Sequence, residues 1–287
     1  MIGTHFLSFR DDAATEGGWR GFPRRALRSI AFSAPVRARL EARYERHFAT
    51  ADKAHLFRGV YDSFEAAVNA APGSKPIGYD HPGPASMYRN NLETVFLSDY
   101  PVLFWLARVL GAGTRRLFDL GGHVGVRFYG FRTRLALPDT LVWQVMDVPA
   151  VVRAGRELAI ERCAANLAFT DRRDDLAGAD VLLATGSLQY LEKPLHDILA
   201  PIANRPPHVI INQLPMHDGA AYYTLQSIGQ AFCPYRIEDR RGLIAGMAAL
   251  GYEQRDAWQT PEKLCPIPFH PERSVRGYEG MYFHARR

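Results

Sequence analysis

Apolar and polar residues fall in short alternating blocks, and from about residue 100 these blocks predict a regular succession of strands and helices. Tyr100–Leu110 (YPVLFWLARVL) predicts a buried helix closed by Gly111. Arg116–Phe118 predicts a short strand that runs into Asp119 and a glycine turn. Val126–Leu137 predicts a helix stopped by Pro138, and Leu141–Met146 a second strand. Pro149 opens a further helix reaching about Cys163, a favoured place for proline. Leu167–Thr170, Val181–Ala184 and His208–Gln213 predict the third, fourth and fifth strands, with a helix from Pro194 before the fifth. A helix over Arg240–Leu250 ends at Gly251, and strands follow around Tyr252–Trp258 and Gly280–His284. Strands alternating with helices predict an α/β fold with a mostly parallel, doubly wound sheet. The last two strands, with no helix between them, predict an antiparallel hairpin at one edge.

Upstream, Ala71–Pro84 (APGSKPIGYDHPGP) predicts a long loop. Residues 1–95 are therefore expected to form a mainly helical N-terminal extension or cap, and residues 96–287 the sheet domain. A chain of 287 residues, 47% hydrophobic and 23% charged, suits such a domain with an appendage. No run approaches the roughly 18 apolar residues of a membrane span, and the N-terminus does not read as a signal peptide. Cys163, Cys233 and Cys265 lie far apart and form no C-x-x-C pair, which argues against a disulfide scaffold or a thiolate metal site. The ten histidines show no metal-ligand spacing, so no metal is expected, and the cysteine usage fits the cytoplasm. The net charge of +5 resides wholly in residues 1–58. There Arg24, Arg25, Arg28, Arg37, Arg39, Arg43 and Arg46 interleave with Leu27, Ile30, Phe32, Val36 and Leu40. This pattern suits either a solvated helix packed on the domain or a peripheral contact with an anionic membrane surface. It matches no motif that reads nucleic acid.

The run Leu117-Phe-Asp-Leu-Gly-Gly-His-Val-Gly125 lies after a strand and before a helix, where backbone N–H groups can approach a ligand. Its glycines, Gly121, Gly122 and Gly125, miss the G-x-G-x-x-G spacing of dinucleotide sites. They fit D-x-G-x-x-x-G, with Asp119 two residues before the first glycine, an arrangement suited to a nucleoside carrying an amino acid. The second strand ends at Asp147, 22 residues beyond Gly125, where an acid can grip ribose hydroxyls. Asp147 also stands where a helix N-cap would stand before Pro149.

On these residues the chain resembles the class I S-adenosylmethionine-dependent methyltransferases. Asp147-Val-Pro-Ala-Val-Val152 is similar to the D-L-P-x-V segment of O-methyltransferases that act on phenols. A longer likeness is to a bacterial group of methyltransferases from surface-polysaccharide and secondary-metabolite loci. It runs through Phe57–Tyr61, Leu97–Trp105, Phe118–Gly125, Gly186–Leu191, Phe232–Arg236 and Ile267–Ser274. The resemblance implies a Rossmann-like class I methyltransferase fold and S-adenosylmethionine as cosubstrate. It implies Asp119, Gly121, Gly122, His123, Gly125, Asp147, Val148 and Ser187 as the cofactor-binding set. Two departures stand out. His123 replaces the usual middle glycine, crowding the methionine portion or adding a polar contact. Gln189 takes the place of the histidine base that follows the fourth strand in the phenol enzymes, and glutamine cannot accept a proton at neutral pH.

His217, beside Asp218 just past the fifth strand, is then the best-placed imidazole for a base, with a turn histidine as the plainer reading. Gln189 and Tyr190 complete the catalytic candidates. Tyr222, Tyr223, Arg236 and His270 are the candidates for substrate binding, as aromatic walls or acid-binding forks. The expected activity is O- or N-methylation of a small metabolite or sugar. Two alternatives share the cofactor: cyclisation of its carboxypropyl arm to azetidine-2-carboxylate and methylthioadenosine, and non-catalytic binding as a subunit. The expected partners are a small-molecule substrate and, for assembly, a homodimer.

Overall fold

A computed structural model describes residues 34–80, 92–111 and 113–286. Arg24, Arg25, Leu27, Arg28, Ile30 and Phe32 of the basic segment lie outside the described residues, as does the end of the predicted 71–84 loop. The chain divides into two compact units, Met1–Tyr44 and Glu45–Arg287. In the first, the start of helix α1 (Ala34–Thr50) carries an exposed Arg37–Glu41 pair at 2.7 Å, one helical turn apart. Among the described residues no helix is long and apolar enough to cross a membrane.

The second unit is built round strands β2 (Arg116–Leu120), β3 (Val142–Met146), β4 (Leu167–Thr170), β5 (Val181–Thr185) and β6 (His208–His217), all parallel. β9 (Tyr252–Thr260) and β10 (Tyr278–Ala285) close one side, with β10 antiparallel to both β6 and β9. The order is β4-β3-β2-β5-β6-β10-β9, so the predicted hairpin is present, inserted through its second strand. The order reverses between β2 and β5, which opens a crevice at the carboxyl ends of these strands.

Successive strand residues point to opposite faces, and each face buries its own core. Leu117, Trp143, Val145, Leu183 and Ile210 pack under α3 (Tyr100–Val109), α4 (Val126–Phe131) and α5 (Pro149–Glu161). Phe118, Leu182, Val209, Ile211 and Phe283 pack under α6 (Leu195–Leu199) and α7 (Arg240–Ala249). The helix expected over Val126–Leu137 ends at Phe131, where Arg134 and Leu135 N–H groups both turn back to the Phe131 carbonyl.

Three strands were not foreseen. β1 (Ala54–Tyr61), β7 (Tyr222–Ile228) and β8 (Phe232–Asp239) form an antiparallel ribbon, β8 joining the far end of β6 at Met216↔Glu238 and His217↔Asp239. The region expected to be helical thus contributes α1, a short helix α2 (Phe64–Asn69) and a sheet strand. β1 hides from the pattern because His55 (φ 63°) and Gly59 (φ 70°) break its alternation at two register shifts.

Candidate active site

The glycine run lies at the carboxyl end of β2, over the crevice. Gly121 N–H continues the β2–β3 ladder to the Met146 carbonyl at 2.8 Å. Its φ of +70° suits glycine, and a Cβ there would overlap the Ser187 side chain. Ser187 follows β5 and donates to the Leu120 carbonyl at 2.5 Å, tying the β5 loop to the glycine loop. Asp119 lies beneath Gly122, so close that a Cβ on that glycine would strike its carboxylate.

Asp119 is 1% exposed. One carboxylate oxygen accepts from Trp143 Nε1 at 3.0 Å, and Oδ1 meets no partner. Burial pushes its pKa up to about 7, against the opposing pull of the Trp143 hydrogen bond and the Arg127 charge. At the end of β3, Asp147 accepts the His123 N–H at 2.9 Å and the Val148 N–H at 2.8 Å, one on each oxygen. Burial raises it to about 6, while these two amides stabilise the charged form. Val148 caps α5, Gly125 caps α4, and His123 holds a left-handed φ of 57° where a glycine would ordinarily turn the loop. The structure therefore brings together Asp119, Gly121, Gly122, His123, Gly125, Asp147, Val148 and Ser187.

Gln189 and Tyr190 occupy a short 3-10 turn, Leu188–Tyr190, on the same rim. Gln189 is 4% exposed, with Oε1 lacking a partner. Tyr190 packs edge-on against Tyr79 and Tyr235, ring centroids 4.9 and 5.2 Å away, and its hydroxyl donates to Gln226 Oε1 at 2.8 Å.

The other candidates gather elsewhere. Asn212 is level with Thr185, and His217 stands five residues farther along β6, about 17 Å at ~3.3 Å per residue. There His217 Nδ1 accepts the Gly219 N–H at 3.0 Å, its ring packs against Tyr222, and Asp218 pairs with Arg240 instead. Tyr222 donates to the Arg273 carbonyl, and Tyr223 to the Glu192 carbonyl at 2.8 Å. Arg236 is held bidentately by Glu238 at 3.0 Å and also donates to Tyr223, so its fork is already filled. His270 caps the Pro271–Arg273 turn with its side chain toward Glu272. These five residues stand at the end of β6, on the β7–β8 ribbon and in its neighbouring loops, with Tyr222 in one apolar cluster with Tyr235 and Tyr190 packed against it.

Other groups around the crevice gave no sequence signal, or only a partial one. Asp99, in the loop before α3, is 0% exposed and pairs with Arg127 of α4 at 2.7 Å, leaving its Oδ1 without a partner. Burial raises its pKa, and Arg127 opposes the rise. Ser98 beside it receives Asn212 Nδ2 at 3.0 Å and Gln213 Nε2 at 2.9 Å. Arg127, two residues past Gly125, was reachable from the glycine run.

An acid and glycine loop after β2, an acid after β3, and an antiparallel β10 between β6 and β9 identify the architecture. This is the class I methyltransferase fold. No family model and no curated protein matches the chain. Among solved structures it is similar to the 1,6-didemethyltoxoflavin N1-methyltransferase of Burkholderia thailandensis, at 19% identity and a TM-score of 0.46, over 76% of this chain and 95% of that one. It is also similar to mitomycin 7-O-methyltransferase, at 17% identity and a TM-score of 0.40, over 66% of this chain and 54% of that one. A third similar structure is the magnesium protoporphyrin IX methyltransferase of Synechocystis PCC 6803, at 13% identity and a TM-score of 0.40, over 63% and 76%.

Proposed function

We propose that the chain is an S-adenosylmethionine-dependent methyltransferase acting on a small molecule. One observation carries this reading: Asp119 and Asp147 end adjacent parallel strands at the crevice, joined by a glycine loop whose His123 N–H is bound to Asp147. The free polar atoms at the site fit this cofactor. Asp119 Oδ1 and Gln189 Oε1 are buried acceptors without donors, suited to a ligand that brings an ammonium and positive charge. Each Asp147 oxygen accepts one backbone bond and keeps capacity for a ribose hydroxyl.

When bound, the cofactor supplies a methyl group on a sulfonium, open to in-line attack. The chain's own contribution is alignment, the principal source of acceleration in such a displacement. Asp147 and the glycine loop hold the nucleoside end. Asp119 and Gln189 hold the amino-acid end, and Ser187 locks the two loops together. Tyr79 and Tyr190, half-buried and packed edge-on, offer an aromatic wall for the acceptor, with the buried Tyr235 ring behind Tyr190. The bacterial resemblance sets the reaction in secondary metabolism or surface-polysaccharide synthesis.

Calorimetry with S-adenosylhomocysteine tests the site. The wild type is expected to bind it, and Asp147→Asn to bind it more weakly by about 1.5–3 kcal/mol, roughly ten- to hundredfold. Unchanged affinity would remove Asp147 from the site. Incubation with S-adenosylmethionine alone tests the reaction: multiple turnovers to methylthioadenosine without an acceptor would replace methyl transfer by cyclisation.

A further inference from the structure

Strand β6 is irregular where it passes the crevice. Its pairing with β10 slips between Ile211↔Met281 and Leu214↔Glu279, so Asn212 and Gln213 together stand opposite Gly280. Gln213 takes a left-handed φ of 56°, an uncommon conformation for a residue with a side chain. In a regular pleat these two neighbours would point to opposite faces; a bulge re-aims them. Here both side chains reach one residue, the buried Ser98.

This anchoring decides which amide ends are used. Trp258 Nε1 only donates, and it donates to Asn212 Oδ1 at 2.9 Å, which leaves Asn212 Nδ2 for the Ser98 carbonyl at 3.0 Å. Gln213 Nε2 donates to Ser98 Oγ at 2.9 Å, so its oxygen is turned the other way. That oxygen lies against Gly186, just past β5. Gly186 has φ +68° and no side chain, and the place a Cβ would take is a notch with Gln213 Oε1 3.4 Å away and Gln189 Nε2 3.9 Å away. The Gly186 N–H is bound to the Asn212 carbonyl at 2.8 Å, which ties the β5 loop to the bulge.

Two amide ends of opposite character therefore face one point, the oxygen able to accept and the nitrogen able to donate. Among the described residues neither has a hydrogen-bond partner, and, unlike Gln189 Oε1, neither is wholly enclosed. Both residues are only 4% exposed, and buried polar ends of this kind call for a partner. The cofactor set leaves this side of the crevice open. Asp147 and Asp119 end β3 and β2, whereas the notch lies over β5 and β6, on the far side of β2 from Asp147.

We propose that Gln213 Oε1 and Gln189 Nε2 recognise the methyl acceptor through a neighbouring N–H and C=O, so that the substrate is an uncharged lactam or oxo-substituted nitrogen heterocycle. This rests on the methyltransferase reading for the word acceptor, but not for the paired recognition itself. Gln213 takes the N–H and Gln189 the carbonyl, and the Ser98 anchor keeps the Gln213 oxygen aimed at the notch. Gln189 thus serves the cofactor with its oxygen and the acceptor with its nitrogen.

The test compares 2-pyridone, whose N–H and C=O are adjacent, with 1-methyl-2-pyridone, which lacks the N–H, by calorimetry on the full chain with and without saturating S-adenosylhomocysteine. The wild type is expected to bind 2-pyridone about tenfold tighter or more, because the methylated probe leaves a buried acceptor unpaired. Gln213→Met, similar in shape but without the amide oxygen, should abolish that preference while leaving S-adenosylhomocysteine affinity within twofold. Gln213→Glu keeps an oxygen acceptor and should retain most of the preference. Gln189→Glu replaces the donor by an acceptor and should weaken 2-pyridone about tenfold. If Gln213→Met does not fold, the two glutamate variants decide. Equal binding of the two probes, or no binding of either, overturns the proposal, as does a preference that survives Gln213→Met or the opposite ranking of the glutamate variants. A Gln213→Met variant that loses affinity for S-adenosylhomocysteine but not for methylthioadenosine also overturns it, because Gln213 then holds the cofactor's amino-acid end. A wild type that ignores S-adenosylhomocysteine but prefers 2-pyridone keeps this proposal and refutes the cofactor reading.

Discussion

Asp119→Asn should gain stability relative to the wild type in the ligand-free protein as pH rises from about 5 to about 8. The carboxyl group is 1% exposed and its pKa rises from 3.8 in the unfolded chain to about 7 in the fold. For an acid, a raised folded pKa means that the native state keeps a proton the unfolded state has released. The resulting stabilisation is complete below the unfolded pKa and is lost as pH rises through the folded value. Between about pH 5 and about pH 7 the wild type therefore loses stability at ~1.36 kcal/mol per pH unit, about 2.5 kcal/mol in all. Asparagine does not titrate. Whatever it costs in its bond to Trp143 or in the contact at Oδ1 is the same at both pH values and cancels in the difference. Urea unfolding of both proteins at about pH 5 and about pH 8, without cofactor, should show the variant gaining about 2–3 kcal/mol relative to wild type. A difference in stability that stays constant with pH would refute the claim that Asp119 is buried at the expense of its charge.

Gly121→Ala places a side chain at φ +70° and into Ser187, so it should cost about 1–3 kcal/mol in urea unfolding and lower the affinity for S-adenosylhomocysteine. Asp99→Asn breaks the buried pair with Arg127 and should cost about 3–5 kcal/mol. The double variant Asp99→Asn with Arg127→Met should recover most of that loss; a double variant no better than the single would show that the pair is not the cause.

Several features were legible because their information is local. The parallel strands announce themselves as apolar runs such as Val181–Thr185 and the start of β6, since both faces of a central parallel strand are buried. The Asp119 loop and Asp147 were legible for a related reason: a strand–turn–helix junction places its loop over the crevice whatever the rest of the chain does. The amphipathic helices and the terminal hairpin likewise followed from period and length.

Only the tertiary structure decided the β1–β7–β8 ribbon. β7 buries Thr224, Gln226 and Ser227 at 0–1% exposure, and its mixed composition reads as a surface loop until distant partners satisfy those groups. Thr224 donates to the Arg58 carbonyl, 166 residues away, and Gln226 meets His55, 171 residues away. His217 lies at the end of a strand, not just past one, because β6 runs on past its expected end, through Gln213 at φ 56°, to join β8. Phe57 meets Cys265, 208 residues away, in one apolar cluster that long-range pairing of β1 with β7 and β9 with β10 assembles. Periodicity along a chain encodes which face is buried, whereas the meeting of segments two hundred residues apart depends on packing that no local window contains.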